Sequence, residues 1–220
     1  NDITELFQVK KPTPSVAEAD LETWLNSSKR VNREIRFSAY KQFLAKKKKG
    51  EIIEQLAADT YTILDKCHNP NELKNEWDRR GLVYGHVQSG KTANYIGLIN
   101  RAYDSGYKIV IVLTGMTEDL RIQTQDRIDE GVIGKRDGKS VGIGEEVEFQ
   151  KIEEIKAATL YHKDLRTSDN WRDSHINVKK KSIWVIKKNK TVLENLIRWL
   201  DKQRIAGGQS KIHNVPFLII

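Results

Sequence analysis

A single cysteine, Cys67, occurs in 220 residues, which excludes an intramolecular disulfide framework and points to a reducing compartment. No apolar run approaches the roughly 20 residues that a membrane-spanning helix needs. The first residues also lack a charged start followed by an apolar stretch, so the expectation is a soluble, cytoplasmic chain with no membrane partner. Internal repeats and low-complexity tracts are missing. Cys67 stands beside His68, but no second cluster of ligand residues accompanies the pair, so neither thiol catalysis nor metal binding is expected there. A nuclease-type cluster of paired acids around a strand lysine is missing too. Glu145, Glu146 and Glu148 make an acidic patch near two glycines, yet without a lysine at suitable spacing they read as loop.

What the chain does contain is enough apolar residue, 38%, and enough tryptophan, five, to fold rather than stay disordered. Lys and Arg number 38 against 30 acids, a formal charge of +8, and that balance admits an acidic polymer such as nucleic acid as partner. Much of the excess lies in two runs, Lys46 to Lys49 and Lys179 to Lys181, which read as solvated faces. The sequence opens on Asn1 rather than Met and stops after the apolar PFLII of 216–220, as a piece of something longer would.

Residues 1–28, with Pro12, Pro14 and several Ser and Asn, read as an arm or linker in which LETWL at 21–25 has the makings of a helical turn. Apolar positions from Val31 to Leu44 recur every three or four residues, and a second such stripe follows Gly50 and ends near Asn69-Pro70. Together they form a helical N-terminal segment over 1–76. The pattern then changes. GLVYG (81–85), KIVIVLT (108–114), SIWVIKK (182–188) and VPFLII (215–220) are short β-rich runs, separated by helical stretches at 92–105, 117–130 and 190–204. Such alternation implies parallel βαβ units, with strands covered on both faces. Residues 131–181 are polar and too long for a plain connection, so they read as an insertion with some helix near 150–160.

GHVQSGKT at 85–92 fits G-x-x-x-x-G-K-[ST] without a mismatch. Crowded phosphate oxygens are best approached by a concave ring of backbone N–H groups, and glycines permit that wrap. In this reading Gly85 turns the chain out of a strand, and Gly90 lets the backbone pass close to the phosphates. Lys91 reaches the β- and γ-phosphates as a point charge, and Thr92 gives its hydroxyl to Mg²⁺ at the start of a helix. His86, Val87, Gln88 and Ser89 complete the loop. His86 and Gln88 either touch a phosphate or the attacking water, or simply shape the turn. The expected cofactors are ATP and Mg²⁺. Turnover also needs an acid for Mg²⁺, and in this fold such acids follow another core strand, for which VPFLII is suited; an Asp or Glu is expected after Ile220. Asp104, Asp119 and Asp129 read as solvated helix residues. Trp184 and Trp199 read as core, whereas Trp77 and Trp171 stand near basic residues, Trp171 being the better candidate for stacking on a base or meeting a partner. Arg79 and Arg80 either reach nucleotide or pair with the helical segment.

KIVIVLTGMTEDLRIQTQDRI at 108–128 resembles the second conserved segment of superfamily 2 helicases, with Leu120 and Gln123 at the family's Leu-x-x-Gln spacing. Glu118 stands where those helicases carry an arginine. More closely, WDRRGLVYGHVQSGKTANYIGLINRA, VLTGMTEDLRIQTQ, VIKKNKTVLENLIRWL and VPFLII resemble the Z1 domain family, bacterial proteins described as endonucleases or helicase-like ATPases and encoded beside MORC-like, Hsp90-type ATPases in restriction and phage-defence clusters. The resemblance implies a three-layer, RecA-like P-loop NTPase over 77–220 ending at the Walker B strand. It implies ATP hydrolysis in the full-length protein, a nucleic-acid partner, DNA above all, and a defence-system protein partner. Thr114 and Gly115 would form the turn facing the nucleic-acid backbone. A non-hydrolysing nucleotide-binding module and part of a metal-dependent endonuclease are the alternatives.

Overall fold

IVIVLT, six residues of which all but one are β-branched, forms the strand from which the fold is built. The computed structural model describes residues 23–25, 34–72, 79–84, 90–147, 149, 152–160, 164–165, 177–206, 212 and 214–220. In chain order the helices are α1 (Ile35–Ala45), α2 (Gly50–Lys66), α3 (Lys91–Ser105), α4 (Glu118–Ile128) and α5 (Lys190–Ala206). The strands are β1 (Ile109–Thr114), β2 (Lys135–Arg136), β3 (Lys139–Ser140), β4 (Lys156–Ala157), β5 (Ser182–Lys187) and β6 (Phe217–Ile219). β1 pairs in parallel with β5 on one side, from Ile109↔Ser182 to Thr114↔Lys187, and with β6 on the other, from Ile109↔Phe217 to Ile111↔Ile219. β4 adds in parallel beyond β5, giving the order β4-β5-β1-β6.

Alternation along the strands divides the core between two faces. Val110, Val112, Ile183 and Val185 pack with Phe37, Tyr40, Leu56, Ile96 and Ile99 from α1–α3. Ile109, Ile111, Trp184 and Ile186 pack with Val192, Leu196 and Trp199 of α5, and the two tryptophan rings lie 4.7 Å apart. Trp184 and Trp199 are therefore core, as their positions predict. Each fully buried aliphatic side chain contributes roughly 1.5–3 kcal/mol relative to exposure. The chain is thus an α/β protein with a parallel sheet covered by helices on both faces, and among the described residues no helix is long and apolar enough to cross a membrane.

Several expectations change. Residues 23–25 are docked rather than loose: the Trp24 and Leu25 amides donate to Asp65 Oδ1 at 2.8 and 2.9 Å, and both side chains are buried against Leu64, Leu98 and Tyr107. The stretch from 131 onward is no mere insertion, because Val132, Ile143 and Ile155 enter the core beside α1–α3 and β4 extends the sheet. Around 150–160 the described residues form β4 and bends, not helix. A β2–β3 hairpin turns on Asp137-Gly138, both at positive φ (49° and 78°), as a two-residue primed turn requires. The Gly144 backbone lies so close to the Gly134 carbonyl that a Cβ would sit 1.8 Å from its oxygen.

Asp104 is half-buried and Asp129 buried, rather than solvated. Asp104, on α3, accepts from the amides of Arg36 and Phe37 at 3.2 and 3.0 Å, so it caps α1, which has no side-chain cap from its own N-terminal residue. Asp129 accepts from Gln125 Nε2 at 2.8 Å. Burial pushes the Asp104 carboxyl up to about 6, against the pull of the two amides and Arg36. Between its ordinary 3.8 and about 6, the folded protein holds a proton that the unfolded chain has lost, so stability declines as pH rises through that window. Asp104→Asn cannot ionise, and urea denaturation across this range should show a flatter decline for the variant than for the wild type. An unchanged slope would show that Asp104 does not titrate there.

Candidate functional site

Helix α3 begins where the glycine-lysine-threonine signature ends. Gly90 precedes it at φ 82°, a left-handed conformation that glycine adopts without steric cost. Among the described residues, no atom beyond the chain neighbours and the helix's own backbone lies within 4 Å of where a Cβ on Gly90 would sit. The N-cap residue is a glycine and has no side chain to offer this helix end, in contrast with α4, where the Thr117 hydroxyl accepts from the Leu120 amide. Helix N-termini favour anions. Lys91 is exposed and Thr92 half-buried. Gly85, His86, Val87, Gln88 and Ser89 lie outside the described residues, as do Trp77, Trp171 and Glu148.

The first turns of α3 are held by two other helices. Tyr40 of α1 donates its hydroxyl to the Ala93 carbonyl at 3.2 Å. Arg127, in the last turn of α4, donates Nη1 to the Thr92 hydroxyl at 3.1 Å. Tyr95 joins them; burial raises its phenol, while Arg127 and hydrogen bonds with Thr92 and Arg127 pull the other way. Arg127 carries no signature in the sequence, because its partner is 35 residues away and only the path of α4 brings it there. Farther along α3, Ile96 and Ile99 seat the helix on the sheet.

GLVYG reads as the strand leading into the loop, but residues 81–84 lie in no strand among those described. Leu82 is 91% exposed and Tyr84 82%. β5 and β6 occupy both edges of β1, so residues 81–84 have no place beside that strand, and among the described residues they do not extend the sheet beyond β6 either.

At the carboxyl end of β1, Thr114 is buried, and its hydroxyl lies within hydrogen-bonding distance of the Ile186 and Gly115 carbonyls at 3.3 and 3.1 Å. Gly115 is exposed, and a Cβ there would meet Leu120 Cδ1 at 2.4 Å. Glu118 lies 2.8 Å from the buried Arg121 guanidinium and 2.6 Å from Lys187 Nζ, which also stands 3.3 Å from the buried Asp164. Burial alone would raise the Glu118 carboxyl, yet the hydrogen bonds from Arg121 and Lys187 outweigh it and hold the group below its ordinary range. The acid at this position thus ties α4 to β5. Arg79 donates to the Lys66 and Cys67 carbonyls at 3.3 and 3.1 Å, pairing with the end of α2 rather than reaching toward Lys91. Cys67 donates to the Ile63 carbonyl, and burial pushes its thiol up to about 11, which leaves little thiolate at neutral pH. Glu146 is buried beside Lys46 Nζ, 2.5 Å away.

No family model, curated protein or solved structure matches this chain.

The backbone at Gly90 offers a direct measurement. Because the space around a Cβ is open, Gly90→Ala is strained only through its positive φ, at a cost of about 1–2 kcal/mol. Gly90→Asn should cost less, since Asn tolerates this region. Chemical denaturation of the three proteins should give the order Gly, Asn, Ala; equal stabilities would mean the left-handed turn is not kept in solution.

Proposed function

We propose that the chain is an ATP-binding module which, in the full-length protein, hydrolyses ATP and couples to nucleic acid, DNA being the expected form. The observation that carries this reading is the complete signature at 85–92, together with Gly90 in a left-handed turn that opens α3. The residues fit a triphosphate. Main-chain amides at the start of α3 would bind phosphate oxygens, Lys91 would neutralise charge on the outer phosphates, and the Thr92 hydroxyl is an oxygen ligand of the kind Mg²⁺ takes. When bound, the metal offsets phosphate charge. The parallel sheet with helices on both faces is compatible with the reading, since nucleotides bind beyond the carboxyl ends of strands in such sheets, although residues 81–84 lie in no described strand.

Coupling to nucleic acid, and a place beside an Hsp90-type ATPase in bacterial defence, rest on the resemblance to Z1 domains and superfamily 2 helicases. Within the turn after β1, Gly115 has an exposed backbone, whereas the Thr114 hydroxyl is directed to carbonyls within the protein. In this reading Gly115 meets the nucleic-acid backbone and Thr114 shapes the turn.

Titrating ATP with Mg²⁺ against the chain, then assaying hydrolysis by the full-length protein with and without DNA, tests the proposal. Lys91→Ala should lower nucleotide affinity about tenfold to hundredfold, the worth of a hydrogen bond to a charged group, and abolish turnover. Normal activity in that variant would refute the assignment. Affinity without turnover would make the protein a binding module, and metal-dependent cleavage of DNA independent of Lys91 would make it a nuclease.

A further inference from the structure

Several arginines of the covering helices and the β2–β3 hairpin are neutralised by carboxylates, whereas the buried Arg36 is met by carbonyls. Arg121 has Glu118, Arg136 has Asp126 at 3.0 Å, and Arg101 has Glu34. Arg127 differs: among the described residues no carboxylate lies within ion-pair distance of it, and its guanidinium is exposed at the first turn of α3, 3.1 Å from the Thr92 hydroxyl. The Arg127 guanidinium and the positive end of the α3 dipole therefore stand at one helix end, a setting that favours an anion.

Thr92 cannot serve Arg127 and a divalent cation equally, because both are positive and would share one oxygen. Were Thr92 to ligate Mg²⁺, its oxygen would serve the metal, and the Arg127 guanidinium beside it would be left with donors for phosphate oxygens. A guanidinium is always charged and presents several N–H donors in a planar fork, which suits phosphate oxygens better than any other side chain.

We propose that Arg127 is a phosphate-reading residue whose guanidinium donates to the Thr92 hydroxyl in the nucleotide-free protein and binds the terminal phosphate when nucleotide is present, so that the site prefers nucleoside triphosphate to diphosphate. This rests on the nucleotide-binding reading given above. Arg127 sits on α4 rather than in the loop, so the preference is supplied by a helix that also begins at the Gly115 turn.

The test is calorimetric titration of the chain with magnesium and either a non-hydrolysable ATP analogue or ADP, for the wild type, Lys91→Ala, Arg127→Gln and Arg127→Lys, with circular dichroism to verify folding. Arg127→Gln keeps a donor for Thr92 but no charge, and it should lose about tenfold in triphosphate affinity while diphosphate affinity changes by less than about twofold. Arg127→Lys, which keeps the charge without the fork, should fall between. If the wild type binds in a Lys91-dependent manner and Arg127→Gln discriminates the two nucleotides as the wild type does, this inference falls and nucleotide binding stands. If the wild type binds neither nucleotide, both fall.

Discussion

Pairing of β1 along both edges, with burial on both faces, is the constraint on which the remaining structure depends. Its backbone groups find partners in β5 and β6, so the strand can sit in a dry interior without unsatisfied donors or acceptors. Its side chains divide between the α1–α3 layer and the α5 layer. Tyr103 on α3 reaches across to the Ser182 carbonyl at 2.8 Å, which fixes α3 on the sheet and thereby the orientation of its first turn. The same double pairing denies residues 81–84 an edge on β1, whatever their composition.

Buried charge then fastens the parts that hydrophobic pattern leaves loose. The Arg36 guanidinium donates to the Val132 and Glu153 carbonyls at 3.0 and 2.7 Å and lies 5.1 Å from the Phe149 ring. Burial lowers it to about 10, with Asp104 opposing. Removing such a charge from water costs several kcal/mol, and the carbonyls offset this by receiving its protons. Arg36 thus joins α1 to a polar stretch more than 95 residues away, and Arg121 does the same between α4 and the Leu160 carbonyl at 3.0 Å. A further chain runs from the Val185 amide to Thr159, from Thr159 to Gln125 and from Gln125 to Asp129. Through it, residues just past β4 satisfy a backbone donor of β5 that no strand reaches.

Helix α4 connects the two regions to which chemistry is assigned. It leaves the turn at Gly115, is capped by Thr117 and tied to β5 through Glu118 and Lys187, and ends with Arg127 at the Thr92 hydroxyl. In the proposed reading, the nucleic-acid turn and the phosphate site are opposite ends of one eleven-residue helix. Such a helix is short and stiff, so a displacement at one end is felt at the other.

Local signals in the sequence determined α1 to α5, β1, β5 and β6, because periodicity and β-branched runs act over a few residues. The Asp137-Gly138 hairpin was not among them, lying inside a stretch that reads as an insertion. Tertiary structure alone decided the rest: that residues 81–84 lie in no described strand, that Asp104 caps a helix it is 68 residues from, and that an arginine on α4 stands at Thr92. Each of these depends on which edges and faces remain free once β1 is enclosed, and no window of neighbouring residues carries that information.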